Sequence, residues 1–319
     1  MKKILVALLM VLMVAGTVMA TDHLKIGVSI PTADHGWTGG INWWAQKAIN
    51  DWKAMDPDVE FFLVTAASPA EQVGQVEDLM VKGIDALVIL AHDSAPLTPV
   101  VKEAYDSGIF VVSIDRGLTE PVQNIYVAGD NPGLGRVSGE WLADALNGKG
   151  KIVVLEGIPC VINTERVEAF DAVIAQHPGI EILDSQPAYW STQKGLEIME
   201  NYLQKYPEID AVWAQDDDVL KGVLQAYKES GRTDIKIMLG GAGSKDIVKM
   251  VMDGDPLVQA DVTYPPSMVA TGISAAIMSL RGEKLNGFYQ NQFPSKVILS
   301  AELVTPENAA DYYEPDSIY

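Results

Sequence analysis

The feature that most constrains this chain is a repeated rhythm. A short, nearly continuous apolar run rich in β-branched residues is followed by a stretch of helical periodicity. The runs are "HLKIGVSI" (23–30), "VEFFLVTA" (59–66), "ALVIL" (86–90), "IFVVSID" (109–115), "IYVAG" (125–129), "KIVVLEG" (151–157), "IEILDSQ" (180–186), "AVWAQ" (211–215), "IKIMLGG" (235–241) and "LVQADVT" (257–263). Strands that are apolar on both faces are those of parallel sheets covered on both sides. The intervening segments predict helices near 38–54, 69–82, 97–107, 133–147, 164–176, 191–205, 217–230, 244–253 and 266–280. The alternation predicts an α/β fold of open, doubly wound sheets. Ten strands are too many for one small sheet, and "GDNPGLG" (129–135) after the fifth makes a natural break. Two Rossmann-like lobes follow, with a ligand cleft between them.

Residues 1–20 stand apart. "MKK" is a basic leader, "ILVALLMVLMVAG" an apolar run, and Val18 and Ala20 occupy the −3 and −1 positions of a cleavage site. That layout predicts a cleavable secretory signal, too short for a comfortable membrane span. The one cysteine, Cys160, is far from that cleavage point, so neither a disulfide framework nor a lipid anchor is expected. The expectation is a freely diffusing periplasmic monomer. A formal net charge of −20 argues against nucleic acid as a partner, because phosphates demand a basic surface. Acidity of this size otherwise keeps an exported protein soluble.

In doubly wound sheets, ligands sit outside the carboxyl ends of the strands. The first run is followed by Asp34, His35 and Trp37, and the fourth by Asp115 and Arg116. In the second half, Arg166 follows "GIPCVINTE", Trp190 follows Tyr189, Asp216 follows Gln215, and Tyr264 follows Thr263. Aromatic rings, carboxylates, amides and one arginine from each half therefore collect at one edge. A sugar ring needs this set. Flat rings cover its C–H faces, while carboxylates accept from its hydroxyls and guanidinium groups donate to them. Each residue also has a plainer role to set beside this one. Trp43, Trp44 and Trp52 read as helix packing, Trp37 as a staple before the helix, Asp115–Arg116 as a salt bridge, and Asp216–Asp218 as helix capping. His35 has no histidine or cysteine at metal spacing, so no metal is expected, and no cofactor.

Taken together, the residues resemble the type I periplasmic sugar-binding proteins, relatives of the ribose binders. "SIDR", "RVEAF", "SQPA" followed by an aromatic and "QKGL", "VWAQDDDVLKGVLQA" and "PENAADY" occur in matching order across essentially the whole mature chain. The resemblance implies two lobes joined by three crossings near 129–132, 261–265 and 295–299. One lobe would hold 21–129 plus 264–295, and the other 130–263 plus 296–319. It also implies closure on a monosaccharide and docking on an ABC permease. Its contacts fall on His35, Trp37, Asp115, Arg116, Arg166, Trp190 and Asp216, with Trp37 and Trp190 sandwiching the ring and Asp34 adjacent. The chain departs from the family at Ala242, where an aspartate is usual, at Thr263 in place of an amide, and at Asp216 in place of an asparagine. These departures leave an aldose, a deoxy or branched sugar, a polyol or an amino sugar open.

Two other functions compete. A sensor would present the closed form to a chemoreceptor or sensor kinase, with a sugar or an autoinducer as ligand. An enzyme would need a dinucleotide fingerprint, a nucleophile elbow or a base beside Cys160, and the sequence offers none of them. A repressor would need a DNA-binding helical segment where the leader stands.

Overall fold

The computed structural model describes residues 23–33, 35–283 and 293–319. The chain runs β1 (Leu24–Pro31), α1 (Gly36–Met55), β2 (Val59–Ala66), α2 (Pro69–Val81), β3 (Ala86–Ile89), α3 (Ser94–Asp106), β4 (Phe110–Ile114) and β5 (Ile125–Gly129). It continues α4 (Asn131–Ala145), β6 (Lys149–Glu156), α5 (Val161–Ile174), β7 (Gly179–Pro187), α6 (Thr192–Lys205), β8 (Ala211–Ala214), α7 (Asp217–Ser230), β9 (Ile237–Leu239) and α8 (Lys245–Asp253). The last elements are β10 (Asp261–Val262), α9 (Met268–Leu280), β11 (Lys296–Leu299), β12 (Leu303–Val304) and a short 3-10 turn at Ala309–Asp311. Two parallel sheets result, ordered β11-β5-β4-β3-β1-β2 and β7-β6-β8-β9, with β10 and β12 forming a small antiparallel pair.

The two sheets are built by one repeated device. In the first, the Asp85 carboxylate accepts the Lys25 N–H at 2.8 Å. In the second, the Asp210 carboxylate accepts the Lys151 N–H, also at 2.8 Å. The backbones of the same aspartates carry the ladder onward: Asp85 O accepts from Phe110 N, and Asp210 O from Lys236 N, each at 2.9 Å. A side-chain acceptor at the strand entrance satisfies a backbone donor that the ladder leaves over. Helix starts follow from local chemistry too. Ser68, Ser191 and Asp130 each accept an N–H from the first turn of the following helix, with Pro at the start of α2 and α4. Asp93 does the same for α3, so that helix starts at Ser94 rather than at the expected 97.

Three expectations need correction. Trp37 does not precede α1 but lies in its first turn, because His35 serves as N-cap and its N–H donates to the Thr38 hydroxyl at 3.2 Å. The strand expected over 257–263 contracts to Asp261–Val262. Residues 296–299, expected at the start of the second lobe's last segment, form β11 and pair in parallel with β5. The chain thus joins β12, beside β10, only after Leu299.

Apolar side chains fill both sides of each sheet. In the second sheet Trp213 is fully buried and stacks on Phe170 at 3.9 Å with an interplanar angle of 14°. Aromatic truncation at such a site removes transfer energy and leaves a void. Replacing Phe170 with Ala should cost about 3–5 kcal/mol, checked by urea unfolding followed by circular dichroism.

Candidate functional site

The carboxyl ends of the strands meet around a cavity of about 390 Å³, lined by His35, Trp37, Asp115, Arg116, Ile162, Arg166, Trp190, Asp216, Ala242 and Tyr264. The cavity brings together eight of the ten sequence candidates. Asp34 lies outside the described residues. Thr263 faces elsewhere: its hydroxyl accepts the Glu302 N–H at 3.0 Å, and it lines a separate cavity with Trp44, Pro265 and Tyr312. Two lining residues, Ile162 and Tyr264, were not among the candidates. Tyr264 adjoins Thr263 just after β10, and it is the tyrosine that lines this cavity.

Backbone strain is concentrated here. Among the described residues, five that are not glycine have positive φ, and three of them line the cavity: Asp115 at 58°, Trp190 at 54° and Ala242 at 105°. Tyr189, at 56°, adjoins Trp190. Such residues cost free energy and persist where surrounding contacts over-determine them. At Asp115 those contacts are clear. Its N–H donates to Val127 O at 2.8 Å, and its carbonyl accepts the Tyr126 hydroxyl.

Tyr264 ties the site together. Its hydroxyl donates to Asp115 Oδ1 at 2.6 Å, and its carbonyl accepts Trp37 Nε1–H at 2.9 Å. The Arg166 guanidinium lies over its ring at 4.4 Å, a cation–π contact strengthened by burial. The ring rests on the bare Cα of Gly129, where a Cβ would come within 2.2 Å. One tyrosine therefore orients the acid that follows β4, the indole of α1 and the guanidinium of α5.

The arginines are held as donors. Arg166, 4 % exposed, donates from Nε to Asn131 Oδ1 at 2.9 Å and also lies 5.9 Å from the Trp190 ring. Arg116 donates from Nη1 to His92 O at 2.8 Å. Burial pushes the Asp115 carboxyl above its ordinary range, opposed by the Tyr264 hydroxyl and by Arg116, Arg166 and His35. Burial also pushes Asp216 well up, aided by its neighbours Asp218 and Asp217.

The three aspartates 216–218 do more than cap α7. Asp216 caps it, accepting the Asp218 N–H at 2.8 Å. Asp218 Oδ2 accepts the Gly36 N–H of α1 at 2.7 Å, a hydrogen bond across the cleft. Asp217 accepts the N–H groups of Gly241 at 2.9 Å and Ser244 at 2.6 Å. Opposite it, Asp261 accepts those of Val262 at 2.8 Å and Gly243 at 3.1 Å.

A fold of two parallel sheets with a cavity between them, walled by rings, acids and guanidinium groups, defines a ligand-binding receptor. The periplasmic binding protein domain matches residues 26–284, and the chain belongs to that family, with its two-lobed type I fold. It is 33 % identical over 223 residues to the ribose import binding protein RbsB of Escherichia coli, covering 70 % of this chain and 74 % of that protein. Against the ribose import binding protein RbsB of Bacillus subtilis it is 31 % identical over 266 residues, covering 82 % and 84 %. Among solved structures it matches the periplasmic binding component of the arabinose ABC transporter from Shewanella sp. ANA-3, bound to L-arabinofuranose. The TM-score is 0.77 at 27 % identity, covering 91 % of this chain and 94 % of that one.

Two predictions follow from these contacts. Tyr264→Phe deletes the hydrogen bond to Asp115 and should cost about 1.5–3 kcal/mol, the range for bonds to charged groups, measured by urea unfolding at neutral pH. The second concerns pH. Burial raises Asp261 from the ordinary aspartate value of 3.8 to about 7, and Asp217 is raised too, by burial and by Asp261. Between those pH values the folded chain holds more protons than the unfolded one, so stability falls as pH rises through this window and then levels. Asp261→Asn removes the titrating carboxyl and keeps one of the two oxygens that accept the Val262 and Gly243 N–H groups. It should flatten that slope in a series of thermal melts from pH 4 to 8.

Proposed function

We propose that this chain captures a monosaccharide, or a closely related polyol or amino sugar, in the interlobe cleft and delivers it to an ABC permease in the periplasm. The observation that carries the reading is the cavity itself. Trp37 and Tyr264 on one side and Trp190 on the other supply ring-covering planes, and the rim between them holds two arginines and two carboxylates. This pairing of apolar faces with charge-assisted donors and acceptors suits a polyhydroxylated ring. The relatives named for ribose import and the arabinose-bound structural neighbour support the same ligand class. The leader at 1–20 and the periplasmic family support the compartment.

Closure is the work the protein does. Lining residues come from both lobes, which we take as 21–129 with 264–299 and 130–263 with 300–319, so a bound sugar contacts both only when they meet. A ligand shifts the open–closed equilibrium by its difference in affinity for the two states. The closed form, with the sugar inside, is then the species a permease reads. No bond is made or broken.

A thermal-shift screen over pentoses, hexoses, deoxy sugars, amino sugars and polyols tests this. A ligand at 100 times its Kd adds about 2.7 kcal/mol of stability, enough to raise the melting temperature clearly. Tryptophan fluorescence should change with the same sugar. Trp190→Ala should weaken its binding on the order of 100-fold, or about 2.7 kcal/mol, in isothermal titration. If no carbohydrate in the screen shifts the melting temperature, the reading is wrong.

A further inference from the structure

Ala242 poses a physical puzzle. It sits in "GGAG" (240–243), with glycine on both sides, yet it is the residue at φ 105°. A glycine would adopt this conformation without steric cost, whereas a methyl group is strained there. Two of the turn's glycines have steric reasons of their own. A Cβ at Gly240 would lie 2.3 Å from Asp217 Oδ1, and one at Gly241 would lie 3.0 Å from Gln215 O. A Cβ at Gly243, at φ 79°, would meet nothing closer than 3.8 Å, whereas Ala242 carries a side chain at its positive φ and lines the ligand cavity.

The turn is held rigidly. The N–H groups of Gly241 and Ser244 go to Asp217, that of Gly243 goes to Asp261, and that of Ala242 goes to Val262 O at 2.7 Å. Every N–H from 241 to 244 is therefore taken. Two buried aspartates lock the strained residue in place, and the turn keeps no backbone donor for a ligand. The residue it contributes to the cavity wall is the alanine.

Resting on the sugar-binding reading above, we infer that Ala242 is a specificity-determining residue: the ligand presents to it a carbon that bears no hydroxyl, so the preferred class is a deoxy sugar or deoxy polyol. A hydroxyl at that edge loses its water partners and meets no N–H from the turn, and unpaired buried polar groups are costly. An apolar wall discriminates against an added hydroxyl by up to about 100-fold.

The test uses isothermal titration of the full chain with matched pairs differing by one hydroxyl: 2-deoxy-D-ribose and D-ribose, D-fucose and D-galactose, L-rhamnose and L-mannose. The wild type should bind the deoxy member of at least one pair more than about tenfold tighter than its partner. Ala242→Gly relieves the strained φ and, by removing the Cβ, opens space in which a water can meet the added hydroxyl, so it should fold with an undiminished melting temperature while that ratio falls to less than about threefold. A purely structural role for Ala242 would leave the ratio unmoved. The inference is overturned if the hydroxylated member of every pair binds as tightly as its deoxy partner, or if the ratio survives in the glycine variant. If the wild type binds no carbohydrate at all, the sugar-binding reading falls as well, and the two failures are thereby distinguished.

Discussion

A buried phenol donating to a buried carboxylate organises this cleft. The bond from Tyr264 to Asp115 joins the end of β4 to the segment after β10, and the same tyrosine carries Arg166 over its ring and accepts from Trp37. Removing these groups from water is expensive unless each finds partners. The cost is offset because acid, phenol and guanidinium satisfy one another. The consequence is preorganisation: Asp115, Tyr264 and Trp37 are already held to one another, so less ordering remains to be done on binding.

The second organising element is the pair of fully buried aspartates, Asp217 and Asp261. Between them they accept four backbone N–H groups, three from the turn that carries Ala242. Two like charges buried together favour retention of a proton. The pair spends stability at neutral pH and returns geometric certainty at one wall of the cavity. The strained φ values at Asp115 and Trp190 fit the same pattern of local cost at the site.

Much of this was legible in the sequence, for a physical reason. Parallel strands covered on both faces must be apolar throughout, so they announce themselves as runs. Their carboxyl ends then carry the polar residues, so Asp115, Arg116, Arg166, Trp190 and Asp216 stood out and meet in one cavity. What was missed depends on distance or on local geometry. Tyr264 and Thr263 adjoin at a strand end, and only the backbone decides which of them turns inward. β11, four residues long, carries no pattern that tells which sheet edge it completes. The bond from Gly36 to Asp218 spans 182 positions, and no local pattern foretells it. Trp37 was displaced from its expected place because a histidine, outside the usual Ser, Thr, Asp and Asn set, caps α1.

The contact between Gly36 and Asp218 also sets how the chain can vary. A Cβ at position 36 would come within 2.5 Å of the Asp218 carboxylate and 2.7 Å of the Tyr319 ring, so alanine or any larger residue there requires the acceptor to shift. Proline, which has no N–H, would abolish the donor outright. The clasp between the halves thus ties positions 36 and 218 together: a side chain at one requires the carboxylate at the other to move or to go.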